Sequence, residues 1–254
     1  MSSALKNGTV VVTGATSGFG EAIARLLAHQ WPQATLWLTG RRQERLDALV
    51  KDLGPNRARG FCFDIRDRTA ATAFASTPGA QNVKVLINNA GLAAGLDNFQ
   101  DASLDDWEQM IDTNVKGLLY VTRAFLPGMI AGRIGHIVNM GSIAGHLVYP
   151  KGNVYSATKF AVRALNDGLR LDLHGTGLRV TSVDPGMAET EFSQVRFKGV
   201  AGKAEAVYAG VRALSAHDVA ETVLWCLDRP DHVNIQDVVI MPTDQASPRD
   251  VVRK

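Results

Sequence analysis

The chain of 254 residues contains only two cysteines, Cys62 and Cys226. Both stand in apolar runs without the paired spacing of metal ligands, which predicts buried free thiols and neither a disulfide nor a metal site. Apolar runs of about 18 residues, the length that crosses a membrane, are missing as well. The opening stretch MSSALKNGTVVVTG lacks the charged start, long apolar core and small-residue cleavage site of a secretory signal. These absences together predict a protein of the reducing cytoplasm. Charge of one sign is lacking too. The 27 basic residues are interspersed with 25 acidic ones, so there is no cationic stripe of the kind nucleic acids require, and neither nucleic acid nor membrane is an expected partner. No Pro- or Ser-rich linker, internal repeat or low-complexity stretch interrupts the chain, which predicts one domain over residues 1–254.

What is present is a regular alternation. Short β-branched runs at 9–13, 35–39, 60–63, 84–88, 135–140, 178–183 and 238–241 have the unbroken apolar character of strands buried on both faces. Segments of helical periodicity at 20–30, 43–53, 69–76, 104–130, 154–174 and 217–227 lie between them. Alternation of this kind predicts an α/β doubly wound Rossmann fold, a seven-stranded, mostly parallel sheet with helices on both faces. Residues 187–216 are the exception: irregular, mixed in charge and interrupted by Gly199 and Gly202. So late an excursion in an α/β protein is expected to be a lid over the site.

Directly after the first strand comes Thr13-Gly14-Ala15-Thr16-Ser17-Gly18-Phe19-Gly20, leading into a helical run. Gly14 suits a tight turn, Gly18 a close approach of backbone to a pyrophosphate, and Gly20 close helix packing, with the helix N-terminus facing the phosphates. The spacing differs from the commoner G-x-G-x-x-G. At the end of the second strand, where an NAD site places an acidic residue, the chain reads Thr39-Gly40-Arg41-Arg42. Two guanidiniums suit a 2′-phosphate and are otherwise unfavourable at a helix start, so NADP(H) is expected rather than NAD(H).

Tyr155 and Lys159 stand four apart in a helical run and project from one face. The Lys charge could bring the phenol towards the range of a general acid/base. Ser142 closes an apolar strand at its carboxyl end, the edge where ligands bind in open α/β sheets. Its hydroxyl could donate to a substrate oxygen, or merely cap a turn.

With these residues in place the chain resembles the short-chain dehydrogenases/reductases over essentially its full length. The resemblance implies a cofactor turn at Gly14, Thr16, Ser17, Gly18, Phe19 and Gly20, with further cofactor contacts from Arg41, Arg42, Asp64, Ile65, Asn89, Ala90, Gly91, Pro185, Gly186 and Thr190. It implies a catalytic tetrad of Asn114, Ser142, Tyr155 and Lys159. In that tetrad Tyr155 exchanges the proton, Ser142 orients the carbonyl, Lys159 lowers the phenol pKa and binds the nicotinamide ribose, and Asn114 holds a water that links Lys159 to solvent. It also implies a homotetramer or homodimer formed through the two long helices.

Several stretches, among them residues 39–46, 152–155, 172–176 and 190–199, are similar to the NADP-dependent 3-hydroxy acid (serine or L-allo-threonine) dehydrogenases. That implies a small anionic aldehyde or hydroxy acid as substrate, with Arg196 in the lid offering a bidentate fork for its carboxylate. Two departures border the pocket. Met187-Ala188-Glu189 is shorter than the resemblance implies, and Lys151 stands close to Tyr155 where Gly is expected. An extra cation suits a sulfonate equally, so sulfoacetaldehyde reduction is an alternative. A broad carbonyl reductase and a non-catalytic NADPH sensor are two more, the last disfavoured by the retained Tyr155/Lys159 pair.

Overall fold

The computed structural model describes residues 3–200 and 202–254. Its strands are β1 (Thr9–Val12), β2 (Thr35–Gly40), β3 (Ala58–Cys62), β4 (Val83–Asn88), β5 (Gly135–Met140), β6 (Leu178–Pro185) and β7 (Asp237–Ile240), in one sheet ordered β3-β2-β1-β4-β5-β6-β7. Every neighbouring pair is parallel, so the sheet expected to be mostly parallel is wholly so. Parallel pairs need long crossovers, which the helices supply. Helices Gly18–Gln30, Gln43–Leu53 and Ala216–Leu227 cover one face, and Arg68–Ala75, Leu118–Gly132 and Asn153–Asp172 the other.

Successive side chains of a strand point to opposite faces. Along β1, Val10 and Val12 therefore pack into one core with Ile23, Leu27 and Val223. Val11 packs into the other, with Leu86, Val121 and Phe125. Both faces being dry, the strand has to be apolar throughout, which is why Thr-Val-Val-Val reads as a strand without any polar alternation.

The structure departs from the sequence expectations at three places. The helix expected over 104–130 is broken into Leu104–Ile111, a π-helical turn Asp112–Gly117 and Leu118–Gly132. Bonding from i to i+5 accommodates an extra residue, and the turn leaves Asn114 only 2% exposed. Cys62 is a correction: it ends the edge strand β3 and is exposed. Cys226 is buried as expected, and burial pushes its thiol up to about 11. The irregular segment contains two short helices, Phe192–Arg196 and Lys203–Tyr208, separated by Gly199 and Gly202 in the left-handed region; residue 201 of that segment lies outside the described residues. Among the described residues no helix is long and apolar enough to cross a membrane.

The strand order runs outward from β1 to β3 in one direction and from β4 to β7 in the other. The crossovers diverge between β1 and β4, which opens a crevice at their carboxyl ends.

Candidate active site

That crevice is a cleft of about 270 Å³. Its floor at one end is the turn after β1, where Gly14 (φ +65°) and Gly18 (φ +56°) adopt the left-handed backbone that side chains disfavour. Gly20 has a different reason: a Cβ there would lie 2.3 Å from the Gly14 carbonyl and 2.4 Å from Asn89 Nδ2. The turn is braced from β4. Thr13 Oγ1 accepts from the Asn89 and Ala90 amides, both at 3.0 Å, while Asn89 Nδ2 donates to the carbonyls of Thr13 (2.9 Å) and Gly14 (3.1 Å). Ser17, at the N-cap of Gly18–Gln30, places no side-chain oxygen on the first helical amides. They border the cleft without a side-chain cap, as a phosphate-binding helix end requires.

Of the residues expected at the cofactor, Gly14, Thr16, Ser17, Gly18, Phe19, Arg41, Arg42, Asp64, Ile65, Asn89, Ala90, Gly91, Tyr155, Lys159 and Thr190 line this cleft. Gly20 is packed beneath it. Pro185 and Gly186 stand back from its wall at the end of β6, where the Pro185 carbonyl accepts from Ser142 at 3.5 Å. Asp64 is held below the usual carboxylate range. Burial alone would raise it, but hydrogen bonds from Arg66 outweigh that, helped by the charges of Arg66 and Arg41.

At the other end, helix Asn153–Asp172 presents Tyr155 and Lys159 from one face, each 8% exposed. Lys159 Nζ lies 5.9 Å from the Tyr155 ring centre and donates to the Met140 carbonyl at 2.8 Å. Burial brings this amine down to about 8, opposed by the charge of Asp184. The Tyr155 phenol is pushed above its ordinary value by burial, then by Tyr149; a hydrogen bond with Ser142 and the charge of Arg196 work against this. Ser142 also accepts from the Ala144 amide at 3.1 Å, so it caps a turn.

Asn114 is a brace between segments. Its Oδ1 accepts from the Leu92 amide at 2.8 Å, and its Nδ2 donates to the Leu92 carbonyl (2.8 Å) and to Thr158 Oγ1 (3.1 Å). Both amide hydrogens are committed to protein.

Residues of the irregular segment after β6 pack over the tyrosine. Arg196 Nε donates to the Gly95 carbonyl at 3.0 Å, and its guanidinium sits 5.6 Å from the Tyr149 ring centre and 5.8 Å from that of Tyr155. The Phe192 ring meets Tyr155 edge-on at 5.7 Å. Arg196, Lys151, Asp106 and Trp107 border a small recess that opens on Tyr155. Lys151 adopts φ +66°, which explains why glycine was expected at this position; a side chain here costs about 1 kcal/mol. Four residues in and around the site escaped sequence reasoning. Arg45 and Glu191 form an ion pair at 2.7 Å. Asp184, 1% exposed, accepts from Ser182 and pairs with His146 at 2.6 Å. The one available signal for Arg45 was its position a helical turn beyond Arg42.

The profile of the short chain dehydrogenase family matches residues 8–201. The NADP-dependent 3-hydroxy acid dehydrogenase YdfG of Escherichia coli is 50% identical over 240 residues, covering 93% of this chain and 96% of that protein. The serine 3-dehydrogenase of Agrobacterium fabrum is 44% identical over 243 residues, covering 94% of this chain and 96% of that protein. Among solved structures, the closed form of a serine dehydrogenase complexed with NADP+ superimposes with a TM-score of 0.91 at 47% identity, over 97% of this chain and 99% of that one.

Proposed function

Because the chain belongs to the short-chain dehydrogenase family, we propose that it is an NADP(H)-dependent oxidoreductase which interconverts a small anionic 3-hydroxy acid and its semialdehyde or keto acid. The observation that carries the substrate class is Arg196, a lid guanidinium held against the rings of Tyr149 and Tyr155. A carboxylate gripped by this fork places the adjoining carbon at the phenol. Relatives whose names specify 3-hydroxy acids and serine support the same class.

The site fits the cofactor at both of its charged ends. The uncapped amides of Gly18–Gln30 suit the pyrophosphate, and the Arg41 side chain, 55% exposed at the cleft rim, suits the 2′-phosphate. The nicotinamide, when bound, supplies or accepts the hydride. Tyr155 gives its proton to the carbonyl oxygen in reduction and takes it back in oxidation. Ser142 Oγ, bordering the same crevice at the end of β5, orients that oxygen. With its amine held at about 8, Lys159 is still largely charged at neutral pH and favours the phenolate. A water on the Asn114 carbonyl is the group that returns the proton from solvent. Residues 187–216 act as the lid of a single cytoplasmic domain. Exposed Leu104, Ile111 and Leu119 on one side and Phe160 and Leu171 on the other give the two long helical segments apolar surface for assembly into a homodimer or homotetramer.

Steady-state kinetics with NADPH and malonic semialdehyde, sulfoacetaldehyde or a neutral aldehyde of similar size tests this reading. Preference for malonic semialdehyde that Arg196→Ala erases is expected. Preference for sulfoacetaldehyde would move the enzyme to sulfonates, and preference for the neutral aldehyde would refute the anion pocket.

A further inference from the structure

The two arginines that follow β2 do not do the same thing. Nearly all of the Arg42 fork is committed within the chain. Its Nη2 donates to Ser17 Oγ (2.9 Å), Thr16 Oγ1 (3.1 Å) and the Thr16 carbonyl (3.2 Å), its Nε to Thr16 Oγ1 (3.3 Å), and its Nη1 to Glu191 Oε2 (3.1 Å). Glu191 immediately follows Thr190 at the base of the lid, and its carboxylate is also gripped by Arg45 Nη1 at 2.7 and 2.9 Å. One side chain thereby joins the glycine turn to the lid, and a second, one helical turn on, reinforces the joint. Arg41 is different: its side chain is 55% exposed, and it meets Asp64 at 3.7 Å while Arg66 holds that carboxylate at 2.7 Å.

We propose that Arg42, Arg45 and Glu191 form a clasp that fastens the lid over the bound cofactor whether or not a 2′-phosphate is present, and that Arg41 is the residue that reads that phosphate. The proposal rests on the cleft taking a nicotinamide dinucleotide. Two guanidiniums shared with one carboxylate leave a net positive charge at the rim, so the clasp does not cancel the attraction for phosphate. The rival arrangement has Glu191 occupying the place of the 2′-phosphate as a competitor. The two differ in sign. Loss of a clasp weakens NADPH and NADH alike, whereas loss of a competitor tightens NADPH alone.

Fluorescence titration and stopped-flow dissociation of NADPH and NADH separate them, using the wild type, Glu191→Gln, Arg45→Ala, their double variant and Arg41→Ala. Glu191→Gln and Arg45→Ala are expected to raise the dissociation constants of both cofactors by the same factor, about three- to fivefold for half-exposed ion pairs. The double variant should fall short of the product of the two single effects, because the Arg45–Glu191 pair is lost in both. Arg41→Ala should weaken NADPH far more than NADH. Tighter NADPH binding in Glu191→Gln, or a loss confined to NADPH, overturns the clasp. A wild type that binds neither cofactor overturns instead the reading on which it rests, and an Arg45→Ala variant, altered only on an exposed helix face, guards against misfolding as the cause.

Discussion

Around the glycine turn the fit is between backbones: a Cβ on Gly14 would come within 2.9 Å of Ala90 Cα, and one on Gly20 within 2.3 Å of a carbonyl. Across the cleft the segment after β6 is held by long side chains, with Glu191 on Arg42 and Arg45, Lys198 on Asp106 at 2.9 Å, and Arg196 on Gly95. A Cβ on Gly199 would meet nothing within 4 Å. The cofactor half is thus rigid and intolerant of added volume, and the substrate half is adjustable and held by charge. One scaffold can in this way keep its hydride donor fixed while its substrate pocket changes.

The sharpest test falls where the two halves meet. Tyr155→Phe should lower turnover about a hundred- to ten-thousandfold while the NADPH dissociation constant, measured by fluorescence, moves little, since only the proton donor is gone. Substantial turnover in this variant would mean that the two halves do not meet at Tyr155. On the substrate side, Arg196→Ala should raise KM for malonic semialdehyde on the order of 50-fold, the worth of a charge-assisted pair, and leave a neutral aldehyde unaffected. Equal losses for both substrates would show a general structural role.

Lys159→Met tests what the rigid half costs in stability. An amine brought from an ordinary 10.5 to about 8 is penalised in the fold wherever the unfolded chain would carry the charge. The penalty, up to about 3 kcal/mol, is complete below pH 8 and is relieved as pH rises towards 10.5, because the unfolded state binds more protons across that window. The inactive variant should therefore be more stable than the wild type in urea at pH 7, by a margin that shrinks by pH 10. A constant margin would assign the gain to packing instead. The smallest effects come from the glycines. Gly20→Ala should cost about 1–3 kcal/mol in stability and weaken cofactor binding, whereas Gly199→Ala, at φ +74° in open space, should cost about 1 kcal/mol. Similar melting shifts for the two would erase the contrast.

The same contrast explains what could be read from the chain beforehand. The glycine turn, the Tyr155/Lys159 pair and the strand ends are short-range patterns, each complete within about eight residues, so periodicity and spacing reveal them. The clasp brings together Arg42 and Glu191, which are 149 positions apart, and no local pattern encodes such a meeting. Asp184 was equally hidden, since an acid at the end of a strand reads as a loop residue until Ser182 and His146 are seen to enclose it. The exposure of Cys62 was missed because an apolar neighbourhood in sequence does not distinguish a central strand from an edge.

The π-helical turn at Asp112–Gly117 amounts to a one-residue insertion in an otherwise continuous helix. The flanking segments still place Met110 on one side and Leu118, Val121 and Phe125 on the other against the interior. Deleting one residue from the turn would restore ordinary winding and leave those buried contacts in register, while moving Asn114 away from Leu92 and Thr158. The helix therefore carries two separable messages, one for folding and one for chemistry. A shortened protein should keep its circular dichroism spectrum and its cofactor cleft, and lose the brace between Leu92 and helix Asn153–Asp172.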